Sequence, residues 1–173
     1  TNGTTPPEVF AQVCAECGID VANFNSPAQT VISGTVDGVA KASAVLKDKE
    51  GVRRIIPLNV AGAYHSRMMA GAGEQLRPVL ESVPVAKNEV PVAQNFTGKV
   101  TEDYTQIREN LVRQVAGSVR WVDCVQSLSA LGADTFIEFG PGTVLTGLIK
   151  KIDASKTTWN VSSAEDLNKL ELQ

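Results

Sequence analysis

The segment that decides the fold is IDVANFNSPAQTVISG, residues 19–34. Residues 19–24 and 29–33 are two β-type runs separated by the turn Asn25-Ser26-Pro27-Ala28, so the segment predicts a β-hairpin. A helix is predicted on either side of the hairpin, and a third strand follows the second helix. These flanking elements are predicted at residues 5–17, 35–49 and 52–58.

The order helix, strand, strand, helix, strand is typical of a ferredoxin-like unit that lacks its first strand. A four-stranded unit without that strand has an unpaired edge, so we expect the missing strand to precede Thr1. The first helix has its own start signal. Thr5 is the predicted N-cap, Pro6 the predicted first helical residue, and Glu8 completes a capping box.

The rest of the chain also alternates between helical and strand patterns. Helices are predicted from about residue 68 to 80, at 104–115, 121–131 and 143–152, and after Ser162 or Ser163. Strands are predicted at 90–95, 135–139 and 157–161. This alternation predicts an α/β fold.

The composition is that of a globular domain. The chain has 173 residues, 43% hydrophobic and 20% charged, with a net charge of −3. A mildly acidic balance lacks the basic footprint of nucleic-acid binding. No apolar run approaches the about 18 residues that a membrane span needs, and no signal-peptide pattern opens the chain. We therefore expect a cytoplasmic protein without nucleic-acid or membrane partners.

The cysteines do not predict a metal site. Cys14 and Cys17 form a C-x-x-C, but zinc needs further ligands, and only Cys124 and His65 remain among cysteines and histidines. We expect free thiols in a reducing compartment and no bound metal.

His65 is the only histidine, and it follows a predicted strand and precedes a predicted helix. Open α/β folds place their chemistry on such loops, and histidine moves protons near neutral pH. Ser66 adjoins it but is predicted to be a helix cap rather than a nucleophile. The nucleophile elbow G-x-S-x-G does not occur in the chain.

The turn Gly140-Pro141-Gly142 leaves two interpretations open. It follows an apolar strand and opens a helix, so its backbone N–H groups could bind an anion. It is neither a Walker loop nor a dinucleotide fingerprint, and a plain tight turn is the alternative.

Four segments together resemble the malonyl-CoA:acyl carrier protein transacylases, in family order and with family spacing. The segments are NFNSPAQTVISG at residues 23–34, GAYHS at 62–66, LVRQVAGSVRW at 111–121 and FIEFGPGTVLTGL at 136–148. The resemblance covers nearly the whole chain but only the later part of the family's length. It implies an incomplete ferredoxin-like small subdomain over residues 1–60. Residues 61–173 would be the C-terminal part of an α/β-hydrolase-like large subdomain.

The resemblance also implies the site. His65 would be the general base, and the backbone carbonyl of Gln114 would fix its tautomer. Tyr64 and Asn25 would be substrate-binding residues, and Tyr64 precedes the histidine where related polyketide acyltransferases that select malonyl over methylmalonyl carry an aromatic ring. The nucleophilic serine, and the arginine that pairs with the malonyl carboxylate, would lie in a missing N-terminal part of the same enzyme.

The implied reaction is ping-pong acyl transfer for fatty acid synthesis, from malonyl-CoA to the phosphopantetheine thiol of acyl carrier protein. The partners would be the carrier protein and the coenzyme A thioester, with no cofactor. Two alternatives remain at this point: a non-catalytic binding or scaffold remnant of the fold, and a piece of a polyketide synthase acyltransferase domain.

Overall fold

The computed structural model describes residues 5–101 and 103–170. Within these residues, helices and strands alternate, and the strands pair in three two-stranded sheets. The strands are β1 (Asp20–Ser26), β2 (Gln29–Ser33), β3 (Ala93–Gln94), β4 (Lys99–Val100), β5 (Thr135–Phe139) and β6 (Thr157–Val161). The α-helices are α1 (Pro7–Glu16), α2 (Val36–Lys47), α3 (Ala70–Ser82), α4 (Ile107–Gln114), α5 (Trp121–Ala130), α6 (Val144–Ile152) and α7 (Ala164–Leu167). The predicted α/β class is confirmed.

The predicted hairpin forms, and helices α1 and α2 pack against it. β1 and β2 are antiparallel, with register shifts that leave Ala22 and Asn25 as bulge residues. The core here is built from residues of both helices, of β1 and of the position before β1: Val13, Cys14, Ile19, Val21, Ala42 and Leu46. Ile19 is 1% exposed, and burial of such a side chain contributes about 1.5–3 kcal/mol.

The predicted third strand at residues 52–58 is wrong. Residues 52–60 form no strand, and every residue from 53 to 61 is exposed. The run reads as β-type because Ile55, Ile56 and Leu58 are apolar, but a strand forms only by hydrogen bonding to a partner strand. No strand of the described residues lies beside this segment. The loop of His65 therefore follows an irregular segment rather than a strand.

The predicted N-cap of the first helix is also wrong. The helix begins one residue later than expected, with Pro6 at the N-cap and Pro7 inside the first turn. The Thr5 hydroxyl donates instead to the carbonyl of Glu50, at 2.9 Å. Thr5 thus connects the start of α1 to the loop after α2 rather than capping α1.

The second half is organised around β5 and β6. They are parallel, with α6 as the crossover between them, and their register runs from Thr135 beside Thr157 to Phe139 beside Val161. The strand predicted at 90–95 is only the two-residue β3, which forms a small antiparallel pair with β4. The helix predicted at 104–115 is a 3-10 turn (Tyr104–Gln106) followed by α4.

β1 connects the two halves. The Val119 N–H donates to the Ala22 carbonyl at 2.8 Å, and the Phe24 N–H donates to the Val119 carbonyl at 2.9 Å. The Ser118 hydroxyl also donates to the Val21 carbonyl, at 2.5 Å. The segment after α4 therefore lies along β1 as a short parallel partner.

No helix among the described residues is long and apolar enough to cross a membrane.

Candidate active site

His65 has an unusual backbone conformation. Its φ of 56° makes it the only non-glycine residue with a positive φ in the described part of the chain. This left-handed conformation costs an L-residue about 1–2 kcal/mol, so the residues around it must hold it.

Ser66 is the first of these residues. Its hydroxyl donates to the Ala63 carbonyl at 2.6 Å and accepts from the Met68 N–H at 3.3 Å. It caps the 3-10 helix Arg67–Met69 that leads into α3, so the predicted helix cap is confirmed. Ser66 is 0% exposed and its hydroxyl proton is donated inward, so a substrate cannot reach this oxygen as a nucleophile.

Arg67 is the second. Its guanidinium Nε and Nη2 donate to both carboxylate oxygens of Asp20 at 2.8–3.1 Å, and Nη2 also donates to the Ile19 carbonyl at 3.1 Å. The Arg67 backbone N–H donates to Asp20 Oδ2 at 2.8 Å. The hydrogen bonds from Arg67 lower the pKa of the Asp20 carboxyl below its ordinary value. The loop of His65 is thereby joined to the first residue of β1.

The imidazole of His65 meets Gln114, the last residue of α4. Nδ1 lies 3.0 Å from the Gln114 backbone carbonyl oxygen and 3.2 Å from its side-chain amide nitrogen. A carbonyl oxygen only accepts, so the first contact needs a proton on Nδ1, whereas the amide donates only to a bare Nδ1. The two hydrogen bonds exclude each other, so Gln114 can stabilise either tautomer of the neutral ring.

Gly117 makes two further hydrogen bonds with Gln114. Its N–H donates to the Gln114 carbonyl at 3.3 Å, and its carbonyl accepts from the Gln114 amide at 3.3 Å. A Cβ at Gly117 would lie 2.5 Å from the Phe96 ring and 2.8 Å from the Arg113 carbonyl. Only glycine lets the chain pass this close to Phe96.

His65, Arg67, Asp20 and Gly117 line one open cleft of about 430 Å³, and Gln114 contacts His65 without being part of its lining. Phe96, Ala116, Ser118 and Arg120 are also in the lining. Both arginines have acidic partners, since Arg67 pairs with Asp20 and Arg120 lies 3.7 Å from Asp123. The cleft thus presents an imidazole that is oriented by a carbonyl and surrounded by both polar and apolar residues. This arrangement suits proton transfer to or from a bound group.

Of the predicted site residues, the structure brings His65 and Gln114 together. The other two, Tyr64 and Asn25, are not among the described residues that line this cleft. Tyr64 is 51% exposed, and its ring lies over Gly62. Asn25 is the half-buried bulge residue of β1. Their substrate-binding roles stay predictions.

The turn Gly140-Pro141-Gly142 is a tight turn with its helix end already occupied. The Glu138 carboxylate accepts from the N–H groups of Leu145 and Thr146 at 3.0 and 2.8 Å. The N–H of Thr146, and then that of Leu145, lower the pKa of Glu138. An internal carboxylate therefore takes the place at α6 that an external anion would need.

The thiols and acids do not form a metal centre. No group of three or more His, Cys, Asp or Glu side chains in the described residues could hold a metal ion. Burial raises the pKa of Cys14 and of Cys124 to about 11, which is the behaviour of core thiols.

Sequence reasoning missed Asp20 and Arg67. They lie 47 positions apart, and neither belongs to a recognisable motif. The only signal was that Arg67 follows His65 by two residues, and one sequence does not show which acid a surface arginine meets.

No protein-family model matches the chain, but individual proteins do. It is 41% identical over 149 residues to the malonyl CoA-acyl carrier protein transacylase of Bacillus subtilis, covering 86% of this chain and 47% of that protein. An acyl carrier protein S-malonyltransferase from Vibrio cholerae superposes with a TM-score of 0.90 at 33% identity, covering 96% and 56% of the two chains. A malonyl-transacylase solved in complex with its type II polyketide acyl carrier protein superposes at 0.87 with 32% identity, covering 95% and 54%. The chain thus spans about half the length of the curated relatives it matches.

Proposed function

The chain is a homologue of the malonyl CoA-acyl carrier protein transacylases over about half of their length, and we propose that it is the histidine-bearing portion of such an enzyme. The enzyme would move malonyl from coenzyme A to the phosphopantetheine thiol of acyl carrier protein. The observation that carries this proposal is the contact of His65 Nδ1 with the Gln114 carbonyl at the cleft. It leaves Nε2 free to act as a base.

The reaction divides into two acyl transfers. In the first, His65 Nε2 takes the proton of a serine hydroxyl supplied from outside residues 1–173, and the serine oxygen attacks the malonyl thioester. The C–S bond breaks, and the coenzyme A sulfur leaves with the proton from His65. In the second, Nε2 takes the proton of the pantetheine thiol, and the sulfur attacks the malonyl-serine ester. The serine oxygen leaves and recovers the proton, so no cofactor is needed.

Gln114 supports both steps from the other side of the ring. When Nε2 gains a proton, the imidazole becomes a cation with both nitrogens protonated. The Gln114 carbonyl then accepts from Nδ1, and a charge-assisted hydrogen bond of this kind contributes about 1.5–3 kcal/mol.

The finer architecture is part of the same proposal. Residues 1–60 would belong to a ferredoxin-like small subdomain and residues 61–173 to a large α/β-hydrolase-like subdomain. The hairpin with its two helices and the parallel pair β5–β6 support this division. A cytoplasmic location, with acyl carrier protein and the rest of the enzyme as partners, belongs to the proposal too.

The test is malonyl transfer from malonyl-CoA to holo-acyl carrier protein by the full-length protein that contains this sequence. His65→Ala should lower the rate at least about 100-fold, since general-base catalysis contributes about 10²–10⁴-fold. Lys41→Ala, an exposed change on α2, is the control and should keep the full rate. A His65→Ala enzyme with more than about a tenth of the rate would contradict the assignment.

A second measurement uses residues 1–173 alone. They should show no transfer, because the chain has no G-x-S-x-G elbow and its serine beside the histidine is buried. Robust turnover by this chain would refute the need for an external serine. A full-length protein that binds the carrier protein but transfers nothing would favour the non-catalytic binding module.

A further inference from the structure

The segments that hold His65 and Gln114 are both hydrogen-bonded to β1. At its first residue, Asp20 holds Arg67, two positions after His65. Farther along, Val21, Ala22 and Phe24 bind the Ser118–Val119 segment, which follows Gln114 by four residues. The distance between the imidazole and the Gln114 carbonyl is therefore set by two attachments to one strand.

The attachment at Asp20 is the one that holds the strained residue. His65 has a φ of 56°. Just after it in the chain, the Arg67 N–H donates to the Asp20 carboxylate and the Met68 N–H donates to the Ser66 hydroxyl. Arg67 donates to Asp20 through three different nitrogens, one of them its backbone nitrogen. A fork of charge-assisted hydrogen bonds fixes direction as well as distance.

We propose that Asp20 is a positioning residue that, through Arg67, holds the imidazole of His65 on the Gln114 carbonyl and so selects the Nδ1–H tautomer. The inference rests on the proposed function only in calling that tautomer the reactive one. The geometry on which it stands concerns residues of this chain alone.

The contacts with Gln114 alone do not determine the tautomer of His65. The Gln114 carbonyl at 3.0 Å stabilises Nδ1–H, and the Gln114 amide at 3.2 Å stabilises the opposite form. Free imidazole side chains in water favour the proton on Nε2. If the loop moved His65 away from the Gln114 carbonyl, the ring would therefore populate the Nε2–H tautomer. In that tautomer Nε2 already carries its proton and has no free lone pair with which to act as a base.

The experiment reads the tautomer directly. Because His65 is the only histidine, its ring ¹⁵N signals in labelled residues 1–173 need no assignment. They are recorded at an alkaline pH where they no longer change with pH, so that only the neutral ring is seen. The two nitrogens have well-separated shifts when protonated and bare, and their average gives the tautomer ratio.

The variants remove different numbers of the hydrogen bonds between Arg67 and Asp20. Asp20→Ala removes every hydrogen bond from Arg67 to the Asp20 carboxylate and leaves Arg67 only its contact to the Ile19 carbonyl. It should lower the ratio of the Nδ1–H to the Nε2–H form by at least about tenfold, the effect of one such hydrogen bond. Arg67→Ala keeps the backbone N–H contact to Asp20 and should cause a smaller fall. Glu74→Ala removes a similar arginine fork, to Arg77 within α3, and should leave the ratio unchanged.

Circular dichroism establishes folding for each variant. If Asp20→Ala does not fold, Asp20→Asn and Arg67→Ala decide, since both are milder, and each should lower the ratio. Unchanged ¹⁵N shifts in folded Asp20 and Arg67 variants would overturn the proposal. No substrate is used, so a failure of malonyl transfer in the full-length enzyme would not be mistaken for a failure here.

Discussion

Replacing Ser66 by alanine removes a buried hydroxyl that satisfies two backbone groups. The Ala63 carbonyl loses its donor at 2.6 Å, and the Met68 N–H loses its acceptor at 3.3 Å. Because Ser66 is 0% exposed, water cannot replace the hydroxyl without opening the loop. The change should therefore destabilise the fold at the start of α3.

The magnitude follows from these two groups. A buried polar group left without a partner costs about 1–3 kcal/mol, and loss of a serine N-cap costs about 1 kcal/mol. We expect a loss of about 2 kcal/mol, since the 3.3 Å bond is the weaker of the two. With a urea slope of about 2 kcal/mol per M, the unfolding midpoint should fall by about 1 M.

Urea unfolding followed by circular dichroism measures the effect, and Ser82→Ala is the matched control. The Ser82 hydroxyl also donates to the carbonyl three residues earlier, Val79, at 2.7 Å, but Ser82 is exposed. Its loss should change stability by no more than about 0.5 kcal/mol. Equal midpoint shifts for the two variants would refute the argument that burial makes the Ser66 hydroxyl important.

Three further outcomes are expected. In the full-length enzyme, Gln114→Ala should lower malonyl transfer only a few-fold because the backbone carbonyl remains. Gln114→Pro should be as severe as His65→Ala because proline breaks the end of α4. Equal, complete losses for Gln114→Ala and His65→Ala would indicate a role for the Gln114 side chain. Tyr64→Ala should reduce the preference for malonyl-CoA over methylmalonyl-CoA, expected at about 10–200-fold. The ratio of kcat/KM values measures this, and an unchanged ratio would leave Tyr64 as loop packing. In native residues 1–173 at pH 8, a thiol reagent should modify half-buried Cys17 well before Cys14, whose pKa is about 11; equal rates would show that burial does not protect Cys14.

Local patterns predicted the elements whose partners are close in sequence. The hairpin follows from its turn residues, and of the two predicted caps, Ser162 and Ser163, it is Ser163 that forms a capping box with Asp166. The segment with Ile55 and Ile56 shows the limit, because its apolar pattern is that of a strand and yet no strand in the described part of the chain pairs with it. Pattern gives propensity, but pairing decides whether a strand forms.

The candidate site likewise contains residues that the sequence could predict and residues that it could not. His65 could be singled out because histidine is chemically distinctive, and Gln114 because the family resemblance marks its position. The Asp20–Arg67 pair could not be predicted, since it depends on how the hairpin and the loop are placed in space. The resemblance did not indicate the amide contact to Nδ1 either, because that contact depends on the side-chain conformation of Gln114.

The left-handed backbone at His65 also narrows which residues evolution can place there. Histidine, asparagine and aspartate are the side chains most enriched in this conformation, whereas β-branched residues are strongly disfavoured. Histidine thus meets a conformational and a chemical demand at one position. If selection for chemistry were relaxed, His65→Asn would be one of the non-glycine substitutions that this backbone tolerates best. One substitution could in this way remove the proposed base and leave the architecture unchanged.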